Sequence, residues 1–134
     1  MSDSYKSVLK AIITALKADA TISGIVGSRV YTNVPQNATF PYMVVAIQSL
    51  PFDTKTDNGM SHTIDISGYS RKNSPAQAAD LRSAAYDIMH KGESNLTLDS
   101  GNLSSMLYSG IGNVLKEPDG VTWKSLLRFN AIVD

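Results

Sequence analysis

Two stretches of this chain alternate apolar and polar residues with a period of two, and that pattern fixes a half-buried strand. In the first, Met60, His62, Ile64, Ile66 and Gly68 alternate with Ser61, Thr63, Asp65, Ser67 and Tyr69. In the second, Val121, Trp123, Ser125, Leu127, Phe129, Ala131 and Val133 alternate with Thr122, Lys124, Leu126, Arg128, Asn130 and Ile132. Successive side chains of a strand point to opposite faces, so each stretch has one face for a core and one for something else. A helix would scatter the same residues round its circumference.

Each alternating strand has a partner nearby. Residues 42–48 are β-branched, aromatic and nearly all apolar, which reads as a strand covered on both faces, by a helix layer and by a neighbouring subunit. It pairs with 60–69 as an antiparallel hairpin whose connection is eleven residues long and ends in the turn signal Asp57-Asn58-Gly59. Two to five residues are usual, so an exposed loop over 52–60 is expected, of the kind that contacts something. Residues 103–117 form a long strand interrupted by Ser and Gly, with a bulge near Gly110 or Gly112. Pro118-Asp119-Gly120 turns it into the last strand, a turn requirement more than a contact. Val30-Tyr31 begins a short strand, and Leu96 and Leu98 alternate before the turn at 99–102.

Helical periodicity appears twice. Tyr5, Val8, Leu9, Ile12, Ile13 and Leu16 make one apolar stripe, capped from Ser2, Asp3 or Ser4. Lys6, Lys10 and Lys17 lie off the stripe, on a solvated face. Ser74-Pro75-Ala76-Gln77 matches a cap, a first-turn proline and a capping box, and predicts a helix to about Lys91 with Gly92 as its stop. Ala78, Leu81, Ala85, Ile88 and Met89 form its buried side, with alanines small enough to let it lie close to a sheet. Between the two, Thr21 caps a short helical turn over 22–26. The order predicts an α+β fold: a two-layer sandwich with a mainly antiparallel sheet of about four to five strands packed with two helices, in a single domain spanning 1–134.

Composition narrows the function. Twelve Lys and Arg balance twelve Asp and Glu, and this zero net charge argues against a dedicated nucleic-acid binder. The chain has no cysteine, which excludes disulfides, thiol catalysis and Cys-based zinc sites. Residues 1–6 lack the basic-then-apolar pattern of a secretory signal, and no apolar run nears the roughly 20 residues of a membrane span. The sequons at Asn37, Asn95 and Asn102 are then chance matches.

Tests for chemistry fail on counting. His62 and His90 are the only histidines, and neither has a second ligand at i+2 or i+4. His62, on an apolar face, reads as a hydrogen-bonded packing residue. A calcium loop from Asp53 would place Lys55 and Ile64 at ligand positions. Gly24-Ile25-Val26-Gly27 matches the G-x-x-G loop of KH domains only superficially, since no basic cluster follows it. No nucleophile elbow or phosphate-binding loop is present. What is left is surplus apolar strand surface, which points to assembly through sheet edges or faces.

An ordered series of short segments then bears on identity: Leu16-Lys17-Ala18-Asp19, Val26-Gly27-Ser28-Arg29-Val30-Tyr31, Val34-Pro35-Gln36, Phe40-Pro41-Tyr42, Thr54-Lys55-Thr56-Asp57 with Gly59 and His62 behind, Asp119-Gly120, and Leu127-Arg128-Phe129. Over nearly the whole chain this resembles the tail-completion (tail-terminator) family of long-tailed bacteriophages, prophages and gene transfer agents. One departure is Gly68-Tyr69-Ser70, where relatives often carry a tryptophan. The resemblance implies a structural virion protein, not an enzyme, with no cofactor and no membrane partner. It would cap the head-proximal end of the tail tube as a ring, commonly of six, and join it to the head connector or stopper protein, with DNA passing through the lumen. It implies assembly in the host cytoplasm and residence at the head–tail junction. The residues it marks as contacts are Asp53, Lys55, Asp57 and Asn58 in the long loop, Arg29 and Tyr31 in the best-matching segment, and Arg128 on the polar face of the last strand. For Arg29 a carboxylate pair, and for Tyr31 simple packing, stay open beside the contact role. A head-side adaptor of the same virion and a small ligand-binding or enzymatic domain remain as other readings.

Overall fold

The computed structural model describes residues 4–53, 58–90, 92–99 and 101–133. Its elements run α1 (Tyr5–Ala18), α2 (Ala20–Val26), β1 (Val30–Tyr31), β2 (Tyr42–Asp53), β3 (Asn58–Ser70), α3 (Ala76–Met89), a 3-10 turn (Gly92–Ser94), β4 (Leu103–Lys116) and β5 (Trp123–Val133). The five strands form one sheet in the order β1-β2-β3-β5-β4. β1 is parallel to β2 and every other pair is antiparallel. The helices pack on one sheet face, giving the expected two-layer α+β fold, with three α-helices among the described residues where two were expected.

The core lies between the layers. Val8, Ala11, Ile12 and Leu16 of α1 and Leu81, Ala85 and Met89 of α3 share one cluster with Met43 and Val45 of β2, Ile64 and Ile66 of β3, and Leu127 and Phe129 of β5, α1 lying over β1 and β2 and α3 over β3 and β5. Burying each such aliphatic side chain is worth about 1.5–3 kcal/mol, which holds a 14-residue helix that would be marginal alone. Tyr5, at the start of the predicted stripe, stays exposed. Ser4 is the N-cap of α1 but makes no side-chain cap bond. Its hydroxyl instead meets His62 Nε2 at 2.8 Å, while Ser49 Oγ meets His62 Nδ1 at 2.6 Å. His62 is fully buried, so both ring nitrogens need these partners.

Several local expectations are corrected. Asp19, not Thr21, caps α2: its carboxylate accepts the Ile22 N–H at 3.0 Å, and its extended backbone ends α1 at the same time. The capping box on α3 does not form. Ser74 Oγ accepts from the Ala76 N–H, while Gln77 Oε1 accepts from the buried Ser70 hydroxyl at 2.6 Å, a stronger claim on that side chain than an exposed cap. α3 ends at Met89, because His90 turns extended; Gly92 opens the 3-10 turn and Lys91 lies outside the described residues. Leu96 and Leu98 are not a strand: Leu96 is buried and Leu98 half-buried against the core, in irregular chain. The sheet edge they would join is occupied by side chains, as described below.

The alanine face of α3 does lie close to the sheet. A Cβ at Gly68 would come within 2.9 Å of Ser125 Oγ and 3.1 Å of Leu81 Cβ, so this strand position has room only for glycine. The predicted bulge in β4 is present, as a register shift between Tyr108 and Gly112 with Gly110 at φ +85°.

The largest correction concerns the loop over 52–60. β2 and β3 stay paired through Pro51↔Met60, Phe52↔Gly59 and Asp53↔Asn58, leaving only 54–57 as the connection. The β3–β5 ladder stops at Met60↔Val133, so the hairpin continues as a two-stranded ribbon past the end of its neighbour. Pro51 is tolerated because β2 is an edge strand there, where a missing N–H breaks no ladder.

Candidate functional site

The sheet has one face under the helices and one without them. Register places Tyr42, Val44, Ala46, Gln48 and Leu50 of β2 on the helix-free face, with Ser61, Thr63, Asp65, Ser67 and Tyr69 of β3 and Lys124, Leu126, Arg128, Asn130 and Ile132 of β5. The expected two-sided cover of β2 is therefore one-sided within the chain: Met43 and Val45 are buried, and Ala46 is exposed. Tyr42, Val44 and Ala46 account for the missing alternation.

Arg128 sits at the centre of this face. Its Nε donates to Asp65 Oδ1 at 2.7 Å and its second nitrogen to Asp65 Oδ2 at 3.1 Å, a two-pronged pair across neighbouring strands. Those bonds, and then the carboxylate's charge, hold the Arg128 pKa above its ordinary value. Around the pair stand Ala46, Thr63, Ser67 and Asn130. The centre of the face is polar and its charges cancel.

One end of the face is aromatic. The Tyr42 ring lies 4.9 Å from Phe40, 5.1 Å from Tyr69 and 5.9 Å from Tyr31, centroid to centroid. Burial, and then the neighbouring Tyr69, raise the Tyr42 hydroxyl pKa. Arg71 places its guanidinium 4.1 Å from the Phe40 ring and donates from Nε to Thr122 Oγ1 at 3.0 Å. The Thr122 hydroxyl in turn donates to Asp119 Oδ2 at 2.6 Å, and the N–H groups of Val121 and Thr122 both donate to Asp119 Oδ1 at 2.9 Å. These bonds, led by the Thr122 hydroxyl, bring Asp119 down to a pKa of about 2. Gly120, at φ +78°, completes the turn. Phe40, Tyr42, Tyr69, Arg71, Pro118 and Thr122 line an open groove of about 290 Å³ here. Within it Arg71, Thr122 and Asp119 are turned onto each other, which is the arrangement of a fastened turn, and Glu117 lines the same groove.

The seven residues marked as contacts do not converge. Asp53 and Asn58 are the last pair of the ribbon, at the end of the sheet opposite the aromatic cluster. Lys55 and Asp57 lie outside the described residues. Arg29 donates from Nε to the Pro41 carbonyl at 2.9 Å, a backbone partner in place of a carboxylate. Tyr31 packs on Tyr42. Arg128 stands midway, engaged by Asp65. Sequence reading missed Arg71, Tyr69 and Thr122, which pattern alone does not mark; the signal available was the run of Tyr and Phe flanking strand ends. It also missed His90 and Glu93. Met106 N–H donates to Glu93 Oε1 at 3.1 Å and Tyr108 N–H to His90 Nδ1 at 3.1 Å, so two side chains cap the outer edge of β4.

No group of three or more His, Asp or Glu placed to hold a metal ion occurs among the described residues. Among the described residues, no helix is long and apolar enough to cross a membrane. The family model described as "Tail completion protein gp17" matches residues 10–134. The chain belongs to this tail completion family. It is a structural protein of a bacteriophage-type tail, and its place is the virion. The fold recurs in a chain from a solved structure of the virion of a native gene transfer agent (GTA) particle, with a TM-score of 0.86. That chain is 22% identical, over 99% of this chain and 98% of its own length. A search of curated proteins gives no match.

Proposed function

We propose that this tail completion protein closes the head-proximal end of a tail tube as a ring, six copies being the expected number, and joins the tube to the head connector or stopper protein. The observation that carries the reading is family membership across residues 10–134, a span that includes both sheet faces and the ribbon. The likeness to a chain of a gene transfer agent particle supports a fold suited to such an assembly. The role is mechanical: the best-bonded polar clusters, Asp119 with Thr122 and Arg128 with Asp65, fasten a turn and a sheet.

The helix-free face suits the wall of a DNA passage. Strong phosphate contacts would hold DNA in place, and here the central cation is already neutralised by Asp65. The ribbon at 51–59 projects from the sheet end and is the part that reaches a neighbouring ring or tube. Electron microscopy of particles made without the protein tests the reading. Overlong or headless tails are expected; tail-free heads that leak DNA would move the protein to the head side of the junction.

A further inference from the structure

Each outer edge of the sheet is half closed. On one side β1 covers Met43 and Val44 of β2, and the Met43 N–H donates to the Arg29 carbonyl at 2.9 Å. Alternate residues of a strand turn their N–H groups to the same side, so Ile47 and Ser49 also direct theirs outward, past the end of β1. On the other side Glu93 and His90 cap the N–H groups of Met106 and Tyr108. Beyond the bulge, Gly112 and Val114 face Leu127 and Ser125 as Tyr108 faces Phe129, so Gly112, Val114 and Lys116 turn outward too. Among the described residues, the ladders direct the N–H groups of Ile47, Ser49, Gly112, Val114 and Lys116 away from their paired strands, and no turn or loop backbone bond reaches them. An open edge of this kind is a template for another extended strand.

We propose that copies of the chain join head to tail through these open halves, β2 of one copy pairing antiparallel with β4 of the next. The proposal rests on the ring reading above and names the surface that builds the ring. Direction favours a second copy as the occupant. Three antiparallel steps separate β2 from β4, so the two edges run oppositely, and a rotation that closes a ring brings them together antiparallel. Exposed apolar surface favours it as well. Leu50 on β2 is 70% exposed and Leu115 on β4 is 58% exposed, both on the helix-free face and both in the open halves. The register that sets Leu50 opposite Leu115 also sets Ser49 opposite Lys116, and both of those turn their N–H groups into the joint, as a ladder requires. Pro51 then faces Val114 and accepts without donating. This register staggers successive copies along the strand, which tilts strands in the way closure of a sheet into a barrel demands. The joint is heterologous, so a closed ring uses both edges of every copy and leaves none free.

The chain is free of cysteine, so introduced pairs report without background. Leu50→Cys with Leu115→Cys is oxidised in rings assembled with and without tail tubes. The control joins Leu50→Cys with Leu107→Cys, an exposed residue on the capped half of β4. A non-hydrogen-bonded antiparallel pair has its Cα atoms about 4.5 Å apart, within reach of a disulfide. A ladder of covalent oligomers up to ring size from the first pair, and little from the control, is the expected result. Rings that give no ladder, or equal ladders from both pairs, overturn the edge joint and leave the ring reading standing. Absence of rings in either setting overturns both. Amide hydrogen exchange on the unmodified chain gives a second readout, with slowed exchange at Ser49, Gly112, Val114 and Lys116 expected on assembly. Slowing that arrives with tube protein and without covalent self-oligomers would assign the edge to a tube strand and overturn the proposal.

Discussion

At the scale of single residues, the sharpest constraints are Gly68, His62 and Asp119. Gly68 is where α3 touches the sheet, and its missing side chain is the reason the helix can approach. Gly68→Ala should lower stability by about 1–3 kcal/mol, through crowding against Ser125 and Leu81, measured by denaturant unfolding. A stability equal to the parent would mean that α3 can lift without cost. Asp119 gives a pH dependence with a definite sign. Its folded pKa of about 2 lies below the ordinary 3.8, so its contribution is present above about pH 4 and is lost as pH falls toward 2. The melting-temperature gap between the parent and Asp119→Asn should be widest above pH 4 and close near pH 2. A gap that is constant with pH would leave the carboxylate's charge no part in holding the turn. His62 was legible as a hydrogen-bonded packing residue, because a histidine on an apolar strand face must find partners. Ser4 and Ser49 as those partners were not, since one precedes a helix and the other sits on a neighbouring strand, and only the tertiary fold brings them to one ring.

At the scale of elements, β3 from Met60 on and β5 from Trp123 on were legible because their two faces meet different surroundings and the residues record the difference. β2 was legible only to Gln48. Beyond it the polar stretch with Pro51 reads as a loop, yet a strand at an edge needs pairing on one side alone, and β3 supplies it through Asp53↔Asn58. The signal Asp57-Asn58-Gly59 was read as the turn, while Asn58 and Gly59 are already ladder residues. Leu96 and Leu98 show the opposite failure: their alternation fits a strand, but Glu93 and His90 hold the edge that a strand there would use. This blunting has a testable consequence. Glu93→Ala removes one hydrogen bond, worth about 0.5–1.5 kcal/mol, and opens the capped half of β4. A small drop in melting temperature together with irregular association in light scattering is expected. Lost stability without association would reduce Glu93 to a local fastener. The candidate site was legible in part on the same terms: the ribbon residues could be named from their polarity, whereas the aromatic end could not, because Phe40, Tyr42, Tyr69 and Arg71 come from separate elements.

At the scale of the molecule, zero net charge was visible in the composition, but its distribution is what bears on function. The helix-free face keeps its central anion and cation in contact, and Thr63 and Asn130 beside them are neutral. If that face is the wall of a passage, the wall neither repels nor holds a phosphate backbone, and the ring multiplies any departure from this balance by its copy number. Asn130→Lys places one added cation per copy on an exposed position of β5, away from both sheet edges. In a ring of six, six ammonium groups would then face the DNA. Folding and ring assembly should be unchanged, since the substitution costs only the long, exposed contact with Thr63. Joined particles should form in normal number and deliver DNA more slowly, with the delay shrinking as salt rises, because phosphate contacts weaken through counterion release. A slow, salt-relieved release would set the helix-free face on the lumen and the helices on the outside. Release at the parental rate from correctly joined particles would turn the ring inside out, with the helical layer as the lining, and the pairing of Arg128 with Asp65 would then serve the sheet alone.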